Sequence, residues 1–206
     1  MAVARSSLPP EIRLEGLTAA TGLPLIVNEA QLDEAETAVL AMLPQLRAGF
    51  DGVVIAAFGD PGLAELRSSL DIPVVGIGES ALLAAGRTGE RFCVVTMTPD
   101  LAAAINRAVD ELGISDRYGG VFLTGGDLEK TMGDPDRLVD ELWAALHRAR
   151  DVEGVTVAVV GGAPLADAGR TIATSERTTI IEPISCAMRE IVARMIAAGR
   201  HQVGRD

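Results

Sequence analysis

Six short apolar runs recur along this chain, each separated from the next by a longer stretch with helical spacing, and that alternation limits the fold more than any other feature. The runs cover residues 52–57, 72–76, 92–96, 120–124, 155–160 and 178–182, and β-branched side chains dominate most of them. A nearly continuous apolar run of this length reads as a strand buried on both faces. Between them, residues 32–48, 99–112, 135–149 and 184–198 carry amphipathic helical spacing, and Thr98-Pro99 and Asp134-Pro135 are helix-starting pairs. Strand alternating with helix predicts parallel βαβ units and an α/β fold.

The 206 residues suffice for one large domain or two small lobes with a core that needs no disulfide or metal. Aromatic residues make up only 3% of the chain, so that core must be built from Ala, Val, Ile and Leu. A net charge of -11 argues against nucleic acid or an anionic membrane surface as partner, because both demand a basic face. A small molecule is the expected ligand. No apolar run approaches the roughly 20 residues of a bilayer-spanning helix, and the N-terminus shows no basic segment followed by an apolar one. With only Cys93 and Cys186 present, no disulfide scaffold is expected, and a reducing cytoplasm is the expected compartment.

The two halves of the chain repeat one another at an offset of about 102 residues. Asp51-Gly52-Val53-Val54-Ile55-Ala56 falls on Glu153-Gly154-Val155-Thr156-Val157-Ala158, and Gly59-Asp60-Pro61-Gly62-Leu63-Ala64 falls on Gly161-Gly162-Ala163-Pro164-Leu165-Ala166. Two pseudo-symmetric parallel-sheet lobes follow, the first from residues 1–91 with 184–206 and the second from 92–183. The strand and helix at 92–112 have no counterpart in the first half, where residues 11–14 are the earliest strand candidate. The first lobe is therefore expected to be one βα unit short. Its unpaired edge and uncovered helix faces predict a homo-oligomer or a weakly stable chain.

Ligands of parallel sheets bind beyond the carboxyl ends of the strands, where small residues expose backbone N–H groups. The turns Ala57-Phe58-Gly59-Asp60-Pro61-Gly62 and Gly161-Gly162-Ala163-Pro164 occupy such ends in both halves and suit a carboxylate or imide oxygen. Asp60, Glu79 and Glu182 are carboxylates at these ends, each either a general base or a turn, capping or helix-dipole residue. Thr96, Thr98 and the Thr124-Gly125-Gly126 turn are candidate donors to ligand oxygens. Cys93 lies early in its strand and reads as core; Cys186, in the first turn of a helix, reads as a packed helix residue, the alternative being a thiolate stabilised by the helix end. His147 and His201 read as solvated helix residues. No Cys/His spacing suits a metal, and neither glycine turn fits a nucleotide-binding pattern, so no cofactor is expected.

The segments 54–63 (Val-Ile-Ala-Ala-Phe-Gly-Asp-Pro-Gly-Leu), 73–80 (Pro-Val-Val-Gly-Ile-Gly-Glu-Ser), 91–96 (Arg-Phe-Cys-Val-Val-Thr) and 159–163 (Val-Val-Gly-Gly-Ala) resemble the Asp/Glu/hydantoin racemase superfamily, particularly its hydantoin and allantoin racemases. The resemblance covers most of the chain from about Leu32 onward. It implies a cofactor-independent isomerase acting on a hydantoin, allantoin or amino-acid dicarboxylate in an inter-lobe cleft. It further implies one thiol on each face of the substrate carbon, and at the two thiol positions this sequence has Ala57 and Gly162. The resemblance thus implies Ala57, Phe58, Gly59, Asp60, Glu79, Thr96, Gly161, Gly162 and Ala163 as ligand contacts and leaves the proton carrier unassigned. The alternatives are a cysteine-poor lyase or decarboxylase of the same superfamily and a catalytically inactive binding homologue.

Overall fold

A computed structural model describes residues 1–47, 49–125, 131, 133–162, 165–173 and 178–199. Among the described residues, six strands form two parallel sheets. β1 (Val53–Ile55) pairs with β2 (Val74–Gly76), while β3 (Phe92–Thr96), β4 (Tyr118–Leu123), β5 (Val157–Val160) and β6 (Thr179–Ile181) run in the order β4-β3-β5-β6. The expected α/β class and parallel pairing hold, with all six strand runs in place.

Strand parity explains the layers of the second sheet. Phe92, Val94, Val157 and Val159 point into one apolar cluster, whereas Cys93, Val95, Ala158 and Val160 point into another. The latter face is covered by α7 (Pro135–Glu153) and α8 (Ala166–Ala173), α7 contributing Leu138, Leu142, Ala145, Leu146 and Ala149 at helical spacing. The former face is covered by α5 (Ile77–Arg87) and α6 (Ala102–Glu111). Asp134 caps α7 by accepting the Arg137 N–H at 3.2 Å, as its Asp-Pro start predicts.

The first sheet is enclosed from both sides as well. Leu66 of α4 (Leu63–Ser69) packs with Leu46, Ile55, Leu70 and Val74 on one face. On the other, Ile191 and Met195 of α9 (Pro183–Ala197) meet Val75 and Ile77. The last described helix thus returns across the second sheet's sequence to cover the first.

Two local expectations are corrected. Residues 11–14 are not a strand: the Arg5 guanidinium donates to the carbonyls of Ile12 and Leu14 at 2.9 Å each, tying this segment to the short helix α1 (Ala2–Ser6) instead of a ladder. The first sheet accordingly has two strands among the described residues. The single helix expected over 32–48 is α2 (Glu29–Leu40) followed by α3 (Leu43–Leu46), broken where Pro44 removes a donor.

Candidate functional site

The β1 end turns sharply through Ala57, Phe58, Gly59 and Asp60. Asp60 has φ 51°, a left-handed conformation that Asp tolerates better than bulkier residues. Its position is fixed from the far side: the Gly78 N–H donates to Oδ1 at 2.9 Å and the Glu79 N–H to Oδ2 at 2.5 Å. One carboxylate therefore caps the N-terminus of α5 from a turn 18 residues earlier. Gly76 makes this possible, since a Cβ there would lie 2.1 Å from Asp60 Cγ. Burial pushes the Asp60 carboxyl up to about 6, against the lowering effect of both N–H bonds.

Glu79 is engaged too. The Arg67 guanidinium donates to its oxygens at 3.2 and 2.5 Å and, through Nε, to the Val74 carbonyl at 2.9 Å. This bidentate pair is only partly exposed.

Opposite, the ends of β3 and β5 supply Thr96, Thr98, Gly161 and Gly162. The Thr96 and Thr98 hydroxyls are buried and 3.1 Å apart. The Gly161 N–H donates to the Val95 carbonyl at 2.7 Å, and its missing side chain lets the Phe58 ring approach: a Cβ would meet Phe58 Cε1 at 3.2 Å and Val94 Cγ1 at 2.9 Å. Phe58, from the first sheet's turn, thereby rests on the second sheet's turn.

Between these elements lies a cleft of about 720 Å³. It is lined by Ala57, Phe58, Gly59, Asp60, Glu79, Thr96, Thr98, Gly161 and Gly162, all expected from the sequence. Ala163 and Gly126 fall outside the described residues. Thr124 and Gly125 do not line it; their N–H groups go to the Thr96 carbonyl and the Glu141 carboxylate, both at 2.9 Å.

Glu182 and the two cysteines are also elsewhere. Glu182 caps α9, accepting the Ile184 and Ser185 N–H groups at 2.9 and 2.8 Å. Cys93 is fully buried, and burial pushes its thiol up to about 12. Cys186 sits in the apolar cluster beneath α5, where burial raises its thiol more than the nearby Arg189 lowers it. Of the two readings of Cys186, the packed helix residue fits this position, which faces the core.

The sequence reading missed the rest of the lining. Leu23, Pro24, Leu25, Ile26 and Leu32 close one side, and Leu101, Ile105 and Leu112 close another, so most of the wall is apolar. Arg107 of α6 also lines the cleft and donates to Glu29, in the first turn of α2, at 3.2 and 2.7 Å. Among the described residues, no group of three His, Cys, Asp or Glu side chains is arranged to hold a metal.

The family model for the Asp/Glu/hydantoin racemases matches residues 1–191. The chain belongs to that family. Two curated hydantoin racemases are similar: one from Paenarthrobacter aurescens is 26% identical over 149 residues, 72% of this chain and 63% of that protein. The other, from Pseudomonas sp. (strain NS671), is 33% identical over 119 residues, 58% of this chain and 48% of that protein. The chain thus spans less than two thirds of either relative's length. Among solved structures, the allantoin racemase from Klebsiella pneumoniae superimposes with a TM-score of 0.86 at 24% identity, covering 96% of this chain and 81% of that one. At that identity the likeness establishes the two-lobed racemase fold.

Proposed function

We propose that this racemase-family chain binds a small amino-acid derivative of hydantoin, allantoin or amino-acid dicarboxylate type between its lobes, without two-thiol racemisation. One observation supports this: nine residues singled out from two distant sequence turns and their neighbours line one cleft of about 720 Å³, within the range of ligand pockets. Thr96 and Thr98 supply hydroxyls for ligand oxygens, and the apolar wall supplies contact for a substituent.

The chemistry is limited by what the cleft lacks. Racemisation by two bases needs an acid and a base on opposite faces of one carbon, and Ala57 and Gly162 supply neither. Asp60 does not replace them, because both its oxygens are held by the start of α5; Glu79 is held by Arg67. The family resemblance and the absence of any nucleotide-binding pattern support cofactor independence. Two buried free cysteines favour a reducing cytoplasm, and no helix of the described residues is long and apolar enough to cross a membrane.

Calorimetric titration with a 5-substituted hydantoin, paired with proton NMR of C5–H loss in deuterated buffer, tests this. Saturable binding with exchange no faster than buffer alone is expected. Enzyme-accelerated exchange by the unmodified chain would refute the chemistry, and absence of binding by the hydantoin, allantoin and dicarboxylate ligands would refute the site. Ala57→Cys should introduce exchange, since a single thiol can take and return a proton on one face. Gly162→Cys is a poorer choice because Gly162 has φ 136°, where a side chain is strained.

A further inference from the structure

Among the described residues, two guanidinium groups line the cleft, and both are engaged: neither is open to an anionic ligand as the structure stands. Arg67 is consumed by Glu79 and the Val74 carbonyl. Arg107 is held in a fork by Glu29, which itself does not line the cleft, and the pairing holds the Glu29 carboxyl below its usual range. Glu111, one turn further along α6, adds its charge near Arg107. The other charged groups of the lining, among the described residues, are the acids Glu36, Asp60 and Glu65. Beside Arg107 the wall is aliphatic, through Leu101, Ala104, Ile105 and Ala108.

We propose that Glu29 is a specificity-determining residue: by occupying Arg107 it denies the cleft a cation for an acidic substituent, and so selects a ligand with a neutral, apolar arm over one with a carboxylate arm. The proposal rests on the cleft being the ligand site. An acidic arm meets the net negative charge of the described lining residues and must displace Glu29 to pair with Arg107. An aliphatic arm meets the α6 wall with nothing to displace. Both members of the pair are substantially exposed, at 57% for Arg107 and 44% for Glu29, so the effect is that of a screened surface pair.

The test compares 5-isobutylhydantoin with 5-carboxymethylhydantoin by calorimetry in wild type, Glu29→Gln and the double variant Glu29→Gln/Arg107→Gln. Wild type should favour the isobutyl ligand. In Glu29→Gln the preference should fall by about threefold to fivefold through tighter binding of the acid, and the double variant should lose that gain. Raising the salt concentration should shrink the difference between wild type and Glu29→Gln. If the isobutyl ligand binds while Glu29→Gln leaves the ratio unchanged, or if the double variant keeps the gain, the role of Glu29 is refuted. If neither ligand binds wild type or variant, the cleft reading fails and this proposal with it. Thermal melts of each variant separate a lost fold from a changed preference.

Discussion

Asp60 shows how far a single residue's role reaches beyond its turn. The Phe58-Gly59-Asp60-Pro61-Gly62 sequence announces a tight turn after a buried strand, and that much is legible because glycine and proline restrict the backbone locally. Its use as the cap of α5 is not legible, since the N–H groups it satisfies are 18 and 19 residues away. Arg107 escaped notice for another reason: a polar residue on an amphipathic helix reads as solvated, and only the fold brings the start of α2 beside it. The raised Asp60 carboxyl makes a pH prediction. Between about 4 and about 6 the folded chain keeps a proton that the unfolded chain has released, so this group favours folding at the lower pH. Its contribution declines as pH rises through that window, by on the order of 2–3 kcal/mol in total. Urea midpoints of wild type and Asp60→Asn at pH 4.5, 5.5 and 7 should show this slope in wild type and its loss in the variant. Equal slopes in both chains would contradict the assignment. Gly76→Ala drives a methyl group into Asp60 and should lower stability by about 1–3 kcal/mol, read as a lower melting temperature.

The elements were legible where pattern and burial agree. Phe92–Thr96 matches its apolar run residue for residue, because both faces of β3 are covered and no solvent face interrupts the pattern. The strand expected at 11–14 failed because charged residues alternate there only with Ile12 and Leu14, and Arg5, seven and nine residues earlier, captured their carbonyls. Helix α9 illustrates what sequence order hides: it follows the second sheet in the chain yet packs its Ile191 and Met195 on the first. We expect residues 184–199 to belong with the first lobe on that account; residues 200–206 lie outside the described residues. Ile191 is 5% exposed, and a Cβ on Gly52 would lie 2.9 Å from its Cδ1. Ile191→Ala should destabilise the chain by about 2–5 kcal/mol. Hydrogen exchange locates the damage: amides of β1 and β2 should lose protection before those of β3 and β5. Uniform loss across both sheets would show that the lobes do not open separately.

At the scale of the whole molecule, the chain's charge and its short first sheet oppose one another. The two-lobed class was legible from the repeat, whereas the size of the first sheet was not, because nothing in residues 11–14 declares that their carbonyls are taken. β1 pairs only with β2 among the described residues, and an uncovered strand edge is a site of association. Every copy nevertheless carries a net charge of -11, so two copies repel over a distance set by the ionic strength. At 0.01 M salt the screening length is about 30 Å, and the approach of a second chain is resisted well before contact; at 0.15 M it is about 8 Å. A homo-oligomer held by this edge should therefore strengthen with added salt, the opposite of one held by ion pairs. Sedimentation velocity at micromolar protein should show the oligomer fraction rising from 0.01 to 0.5 M sodium chloride. A proline in β1, Val54→Pro, would damage the fold and settle nothing, so the interface is better probed by adding a charge beside the edge. Asp51→Lys, at an exposed position two residues before β1, lowers the charge repulsion and should raise the oligomer fraction at low salt. A chain that sediments as a monomer at every salt concentration, in both forms, would show that the edge is too short to recruit a partner.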